Sequence, residues 1–324
     1  MKKIALIGIL VLVIAAVLYY IVTIKKPAPP MPPPVVKEEV EKVEERVEEL
    51  AIKDLIFTSN KDGPPGIYTI DLDGKNQIKL SGDSNSIWDG LPAYSFLTTG
   101  HRIAFVSDNL VKGRGIYVLD GKEIIKLIDG HDPALSPNGK MIAFCSRGPA
   151  GDYEVYVIKD LDKVISGIKS GVKEEINFLN LSNHPADDWA PSWLSDKQIV
   201  FTSERDRNAE VYVINIDGTG LVNLTNNSAW DGLPSCSRDG IVFQSDRTGN
   251  FDIWQMDKEG KNLINLTNHP ADDRWPAISP DGTRIAFSSD RESEGNTNIW
   301  VIEKGRLARL TNQLVDDWAP RWTR

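Results

Sequence analysis

Six prolines recur along this chain at near-constant spacing, Pro92, Pro133, Pro191, Pro234, Pro276 and Pro320, with steps of 41, 58, 43, 42 and 44 residues. The most legible setting is Asp272-Asp273-Arg274-Trp275-Pro276-Ala277-Ile278-Ser279-Pro280-Asp281-Gly282, followed by Ile285-Ala286-Phe287-Ser288-Ser289-Asp290-Arg291 and Ile299-Trp300-Val301-Ile302. A repeat of this length is one supersecondary unit that cannot bury its apolar face alone and must stack on its neighbours. The long step falls where residues 159–175 interrupt the third unit, and their Lys, Asp and Gly content reads as a surface loop.

Within each unit the second element carries Phe57, Phe105, Phe144, Phe201, Phe243 or Phe287. The third carries Ile67-Tyr68, Ile116-Tyr117, Val155-Tyr156, Val211-Tyr212, Ile253-Trp254 or Ile299-Trp300. Short β-branched and aromatic runs between turn signals are strands. Segments such as Leu221-Val222-Asn223-Leu224-Thr225 supply a fourth. Four antiparallel strands per repeat of this length indicate propeller blades. The first unit, near Asp54, lacks a proline strand, and the sixth proline strand, Trp318 to Arg324, has nothing after it. The expectation is therefore an all-β, six-bladed propeller in which the C-terminal strand completes the first blade and leaves no open edge.

The strings Pro276-Ala-Ile-Ser-Pro-Asp-Gly, Ile285-Ala-Phe, Ser289-Asp290-Arg291 and Ile299-Trp300 resemble the repeat of TolB-type, WD-like propellers, over about residues 51–324. The resemblance implies a six-bladed propeller that is usually extracytoplasmic and usually a protein-interaction platform. The family's namesake is a soluble periplasmic protein with a further N-terminal domain. This chain has an apolar segment and a charged stretch there instead, so the namesake's partner and transport role do not carry over.

Ile4 to Ile24 are 21 positions without a charge, enough helix at 1.5 Å per residue to span roughly 30 Å of bilayer. A cleaved signal peptide has a shorter apolar core and a small-residue cleavage site, whereas Lys25-Lys26 and prolines follow here. Residues 1–26 thus read as a transmembrane anchor. The short, wholly basic N-terminal side places the N-terminus in the cytoplasm and the propeller outside it, on a single-pass cell-membrane protein. Residues 27–50 read as a spacer: six of the eight residues Pro27 to Pro34 are proline, favouring an extended polyproline rod. Val36, Val40, Val43, Val47 and Leu50 then form one stripe of a short helical stalk, through which self-association of residues 36–50 is possible.

The net charge is −9, and residues 1–50 hold seven acids and seven bases, so the whole deficit lies in residues 51–324. An acidic domain repels phosphate backbones, which argues against nucleic acid as a partner. Cys145 and Cys236 are the two cysteines; Cys236 falls at an apolar repeat position and Cys145, just after Phe144, also reads as core, and they lie in non-adjacent blades, which argues against a disulfide.

Three positions before the aligned proline stand Asp89, Gly130, Asp188, Asp231, Asp273 and Asp317. Five of six blades thus place a carboxylate where their innermost strands begin, around one end of the channel, with Trp88, Trp189, Trp230, Trp275 and Trp318 beside them. Such an alternation suits a cationic peptide, a sugar or a cation. A carboxylate there can equally accept backbone N–H bonds between blades, a purely architectural role. The leading expectation is a non-enzymatic protein- or peptide-binding rim. The alternative is a glycan-binding or carbohydrate-active propeller with paired aspartates as acid and base.

No G-x-S-x-G elbow, H-E-x-x-H helix or phosphate-binding G-x-x-x-x-G-K-[ST] loop occurs. Asp71-Leu72-Asp73-Gly74 and Ile216-Asp217-Gly218 lack the ligand series of a calcium loop and read as hairpin turns. His184 and His269 repeat in Asn-His-Pro-Ala-Asp-Asp while His101 and His131 stand apart, so no histidine pair has metal-ligand spacing and no catalytic residue, metal or cofactor is expected. The Ser-Asp-Arg turns read as local structure, as do the sequons at Asn180, Asn223, Asn226 and Asn265.

Overall fold

The computed structural model describes residues 54–81, 86–97, 100–120, 123–172, 175–292 and 295–323. The chain divides into two compact units, Met1–Lys42 and Val43–Arg324, and the described residues all belong to the second. The expected membrane helix, proline spacer and valine stripe lie outside the described residues. Among the described residues no helix is long and apolar enough to cross a membrane.

Six four-stranded antiparallel sheets follow one another. The first pairs β1 (Leu55–Ser59), β2 (Gly66–Ile70) and β3 (Ile78–Lys79) with the last strand of the chain, β24 (Asp317–Trp322). The second runs β4 (Ser86–Leu97), β5 (Gly100–Asn109), β6 (Gly113–Asp120), β7 (Glu123–Ile128). The third runs β8 (His131–Leu135), β9 (Ile142–Arg147), β10 (Tyr153–Ile158), β11 (Leu179–Asn180), and the fourth β12 (Asp188–Ser195), β13 (Gln198–Ser203), β14 (Glu210–Asn215), β15 (Val222–Asn223). The fifth is β16 (Asp231–Cys236), β17 (Ile241–Ser245), β18 (Asp252–Met256), β19 (Ile264–Asn265), and the sixth β20 (Asp273–Ile278), β21 (Arg284–Ser289), β22 (Asn298–Glu303), β23 (Arg306–Arg309). β24 pairs with β1 through Leu55↔Trp322 and Ser59↔Asp317, so the expected closure of the first blade is present.

Six apolar clusters hold the ring, and each lies between two consecutive blades. One joins Leu55, Phe57 and Tyr68 of the first blade to Ala286, Ile299 and Val301 of the sixth, which closes the circle. Middle strands such as Leu55–Ser59 and Ile241–Ser245 are buried at every position, which is why they read as continuous apolar runs without strict alternation. The two aromatic columns of the sequence are cross-strand pairs in register: Phe57↔Tyr68, Phe105↔Tyr117, Phe144↔Tyr156, Phe201↔Tyr212, Phe243↔Trp254 and Phe287↔Trp300.

Each innermost strand is bulged near its proline, which has no N–H to give a ladder. The preceding residue is left-handed in all six: Leu91, Asp132, Ala190, Leu233, Trp275 and Ala319 have φ of 52°, 48°, 50°, 51°, 57° and 50°. That conformation costs a non-glycine residue about 1–2 kcal/mol. It is over-determined by captured N–H groups: Leu91 and Leu233 donate to Thr58 and Thr202 Oγ1, Trp275 to Gln244 Oε1 and Ala190 to Asp132 Oδ2, all on the preceding blade.

The insertion in the third unit differs from the surface loop expected. Residues Leu161–Lys169 form a helix, α1, capped by Asp160, whose carboxylate accepts from the Lys163 N–H. Leu161, Val164, Ile165 and Ile168 pack on the cluster between blades two and three. Asp162 reaches the buried Arg102 at 3.0 Å, and Lys169 reaches Asp120 and Glu123 at 3.0 and 2.9 Å. The helix therefore clamps the outside of a blade seam.

Candidate functional site

In antiparallel blades the start of each first strand lies at the same end as the turn between the second and third, so the carboxylate column and the Ser-Asp-Arg column meet there. The carboxylates are not on the surface. Asp188, Asp231, Asp273 and Asp317 are 0% exposed and Asp89 2%. Arg205 Nη2 donates to both oxygens of Asp188 at 3.1 Å, Arg247 Nη2 donates to Asp231 at 2.6 Å, and Arg291 donates to Asp273. Nε of the same arginines donates to Ser203, Ser245 and Ser289 at 2.7, 3.0 and 3.0 Å. Each guanidinium lies over the aromatic pair of its own blade, Phe201 and Tyr212, Phe243 and Trp254, or Phe287 and Trp300. Acid, serine, arginine and aromatic pair are thus one non-local clamp, where a local turn was expected.

The clamp decays in an ordered way. Blade three lacks both halves: Gly130 replaces the acid and Gly148 the arginine. A Cβ at Gly130 would sit 2.6 Å from the carbonyl oxygen of Cys145, so no aspartate fits there. Blade one keeps Asp317 but has Lys61 for the arginine, and Lys61 Nζ donates to Gln77. Burial pushes the Asp188 and Asp273 carboxyls above the usual range, against the hydroxyls and arginines that face them. Burial also raises Asp317, opposed by the hydroxyls of Ser59 and Thr311 and by Lys61.

With the acids buried, what this end presents beside its polar turns is a set of tryptophans. All five tryptophans of the expected rim are half-buried. They occupy three repeat positions: Trp88 and Trp230 four before the proline, Trp189 and Trp318 two before, Trp275 one before. Gly90 and Gly232 leave room for the indoles of Trp88 and Trp230, which a Cβ would meet at 2.6 and 2.7 Å. Trp189 and Trp230 lie 5.7 Å apart, the edge contact of Trp230 with Phe251 is 5.3 Å, and the Arg274 guanidinium covers Phe251 at 4.1 Å. Beside Arg274 opens a cavity of about 330 Å³ lined by Trp275, Ser288, Thr297, Asp316 and Trp318. The structure therefore joins four of the five tryptophans to one arc and cavity spanning blades four, five, six and the closing strand.

The TolB beta propeller domain family matches residues 157–323, more than half of the chain. The chain belongs to this family. No curated protein sequence matches it. Among solved structures, TolB from Acinetobacter baumannii superposes with a TM-score of 0.65 at 20% identity, over 83% of this chain and 66% of that one. Hydrazine synthase from Kuenenia stuttgartiensis gives 0.65 at 16% identity over 86% and 48%, and a puromycin-hydrolysing peptidase from Mycobacterium tuberculosis 0.51 at 13% over 80% and 45%. The chain spans under two thirds of each of these proteins, and at such identities the likeness establishes the fold alone.

Several sequence features settle into the architecture of this TolB-type propeller. His184 and His269 Nδ1 accept the N–H groups of Ala186 and Ala271, closing their own turns. Asn223 and Asn265 use Oδ1 to accept backbone N–H groups and Nδ2 to reach Asp206 and Asp252, so these sequon asparagines are turn residues. Cys145 and Cys236 are free. What the sequence reading missed is Phe251 and Arg274, the bridge of the arc, and a cluster in blade three. There His131, Asp132 and Cys145 come within ligand-sharing distance, although no two are spaced as a metal motif along the chain. Burial lowers Arg321 of β24 to about 10, and the charge of Asp132 opposes that.

Proposed function

We propose that this protein is a membrane-anchored, extracytoplasmic, non-enzymatic platform that binds a protein or peptide through the loop end of its propeller. The observation that carries the reading is the arc Trp189, Trp230, Phe251 and Arg274 running into the cavity at Trp275 and Trp318. Half-buried indoles beside an arginine are the composition of interface hot spots, offering large rigid contact area at small entropic cost. Family membership supports it, since propellers of this type serve broadly as interaction modules. The buried aspartates keep a supporting role: they fix the strand starts on which the indoles sit. The apolar run Ile4 to Ile24 motivates the anchor and the proline segment the spacer.

A glycan reading draws on the same indoles, whose faces suit sugar rings beside a cavity of this size. It cannot use the ring aspartates as acid and base while all five remain buried, three of them against arginines. The test compares full-length protein with single Trp189→Ala, Trp230→Ala and Trp318→Ala variants, each confirmed folded by thermal unfolding. Proteins crosslinked in intact cells are identified, and the best candidate is purified and titrated. Binding that weakens by about tenfold or more per tryptophan supports the platform. Equal binding by all variants, or binding only on a glycan array, overturns it. Protection of the propeller from protease in intact cells would overturn the orientation.

A further inference from the structure

We infer that His131, Asp132 and Cys145 form a site for one divalent transition-metal ion of the zinc class at the start of the third blade. A ring nitrogen of His131, a carboxylate oxygen of Asp132 and the Cys145 sulfur lie within 4.8 Å of one another. Nδ1 of His131 is 3.2 Å from Asp132 Oδ2, while its Nε2 is buried with no hydrogen-bond partner. Zinc bonds of about 2.0–2.3 Å set tetrahedral ligand atoms roughly 3.3–3.8 Å apart, so the donors close on an ion by about an ångström. The edge of His131 meets the Tyr153 ring at 4.5 Å, which restrains the imidazole.

The repeat supplies an independent argument. At the position of Cys145 blades one, four and five have Thr58, Thr202 and Gln244, which hold the next blade by a hydrogen bond. At the position of Asp132 every other blade has Leu, Ala or Trp, and at that of Gly130 every other blade has Asp. Two departures from the repeat, Gly130 and Asp132, thus fall beside His131 and Cys145, which stand at positions that vary from blade to blade. Gly130 also removes the acid that would crowd Cys145. Loss of the family pattern at scattered sites would be drift; convergence of an imidazole, a carboxylate and a thiol is a ligand set.

The set is selective. A sulfur ligand disfavours calcium and magnesium, which take oxygen, and favours zinc or cobalt. Cys145 is fully buried and forms no disulfide. Binding forms the metal–sulfur bond as the S–H bond breaks and its proton leaves to solvent, and thiolate and carboxylate together neutralise the ion. Asp132 and His131 keep side-chain exposures of 17% and 23%, which leaves an approach and a fourth coordination position on the open side.

The test uses tag-free full-length protein and Co²⁺ as the probe, displaced afterwards by Zn²⁺. One equivalent of Co²⁺ should give a thiolate-to-cobalt charge-transfer band, with about one proton released per ion. Cys236→Ser should keep the band. Cys145→Thr, which installs the residue of blades one and four, and Cys145→Ser should both abolish it without changing the thermal transition. Asp132→Asn should weaken binding by about tenfold or more. Absence of the band in the wild type, or its survival in both Cys145 variants, would overturn the site.

Discussion

Asp317 and Asp273 stand at the same place in the repeat with opposite surroundings. Asp273 faces a buried guanidinium, whereas Asp317 has no arginine and only the hydroxyls of Ser59 and Thr311 and the charge of Lys61 oppose its burial. Asp273→Asn strands Arg291 and should cost about 3 kcal/mol or more, whereas Asp317→Asn removes a buried charge and should stay within about 1 kcal/mol of wild type at neutral pH. The folded carboxyl of Asp317 is raised by burial, with Asp316 adding to this and Lys61 opposing it. A raised acid stabilises fully below its unfolded value, near pH 3.9, and that contribution is lost as pH rises through the folded value. Urea unfolding from about pH 4 to about pH 7 should therefore move in favour of Asp317→Asn as pH rises, and an opposite slope would show that Asp317 is neutralised by a partner. Lys61→Arg offers the complementary gain. It restores the arginine of blades four to six and should raise stability by up to about 1 kcal/mol, while a fall in the urea midpoint would mean that blade one has no room for the clamp.

At the scale of elements, strands and their pairing were legible because each middle strand has a phenylalanine opposite an aromatic, a pattern fixed by register. The clamp was legible too, had acid and arginine been read together. They occur together in blades four to six and are both missing from blade three, at Gly130 and Gly148, while blades one and two keep the acid beside Lys61 and Asn109. Helix α1 was written in the spacing of Leu161, Val164, Ile165 and Ile168 after the capping Asp160, but a lysine-rich insertion in an all-β repeat invites a loop reading. Ile165 is 3% exposed in the cluster that α1 shares with blades two and three. Ile165→Ala should cost about 2–4 kcal/mol in chemical denaturation, and hydrogen exchange should show α1 and β7 losing protection before the remaining blades. An unchanged midpoint would mean that the helix is an ornament. The tryptophan positions resisted sequence reading for a different reason. Strand alternation predicts facing only along an unbroken pleat, and a left-handed residue at the bulge stands between tryptophan and proline for Trp88, Trp189, Trp230 and Trp318 and is the tryptophan itself at Trp275.

For the whole molecule the ring is a closed circuit of seams, each sharing its strands with the next, so stability should be cooperative around the circle and most sensitive where chain connectivity does not help. That place is the seam between blades six and one, where β24 returns to β1. Trp322 concentrates the contact: it is 6% exposed, its indole N–H donates to the Ala277 carbonyl at 2.8 Å, and Arg284 lies over its ring at 4.6 Å. Trp193 makes the equivalent bond to Ala134 at 2.8 Å, but its strand β12 runs on in the chain into β13 of its own blade, whereas β24 is held to β1 by pairing alone. Both substitutions to alanine remove a similar area and bond, so a purely local account predicts equal losses of about 3–5 kcal/mol. Closure predicts more. Trp322→Ala should also lower the denaturant slope and expose the edge of blade one, because opening the last seam frees β24 as a unit while opening the Trp193 seam leaves both flanking blades tethered. Parallel urea titrations of the two variants, read with hydrogen exchange at β1, decide between these accounts: identical slopes and equal protection would show that the ring behaves as six independent seams.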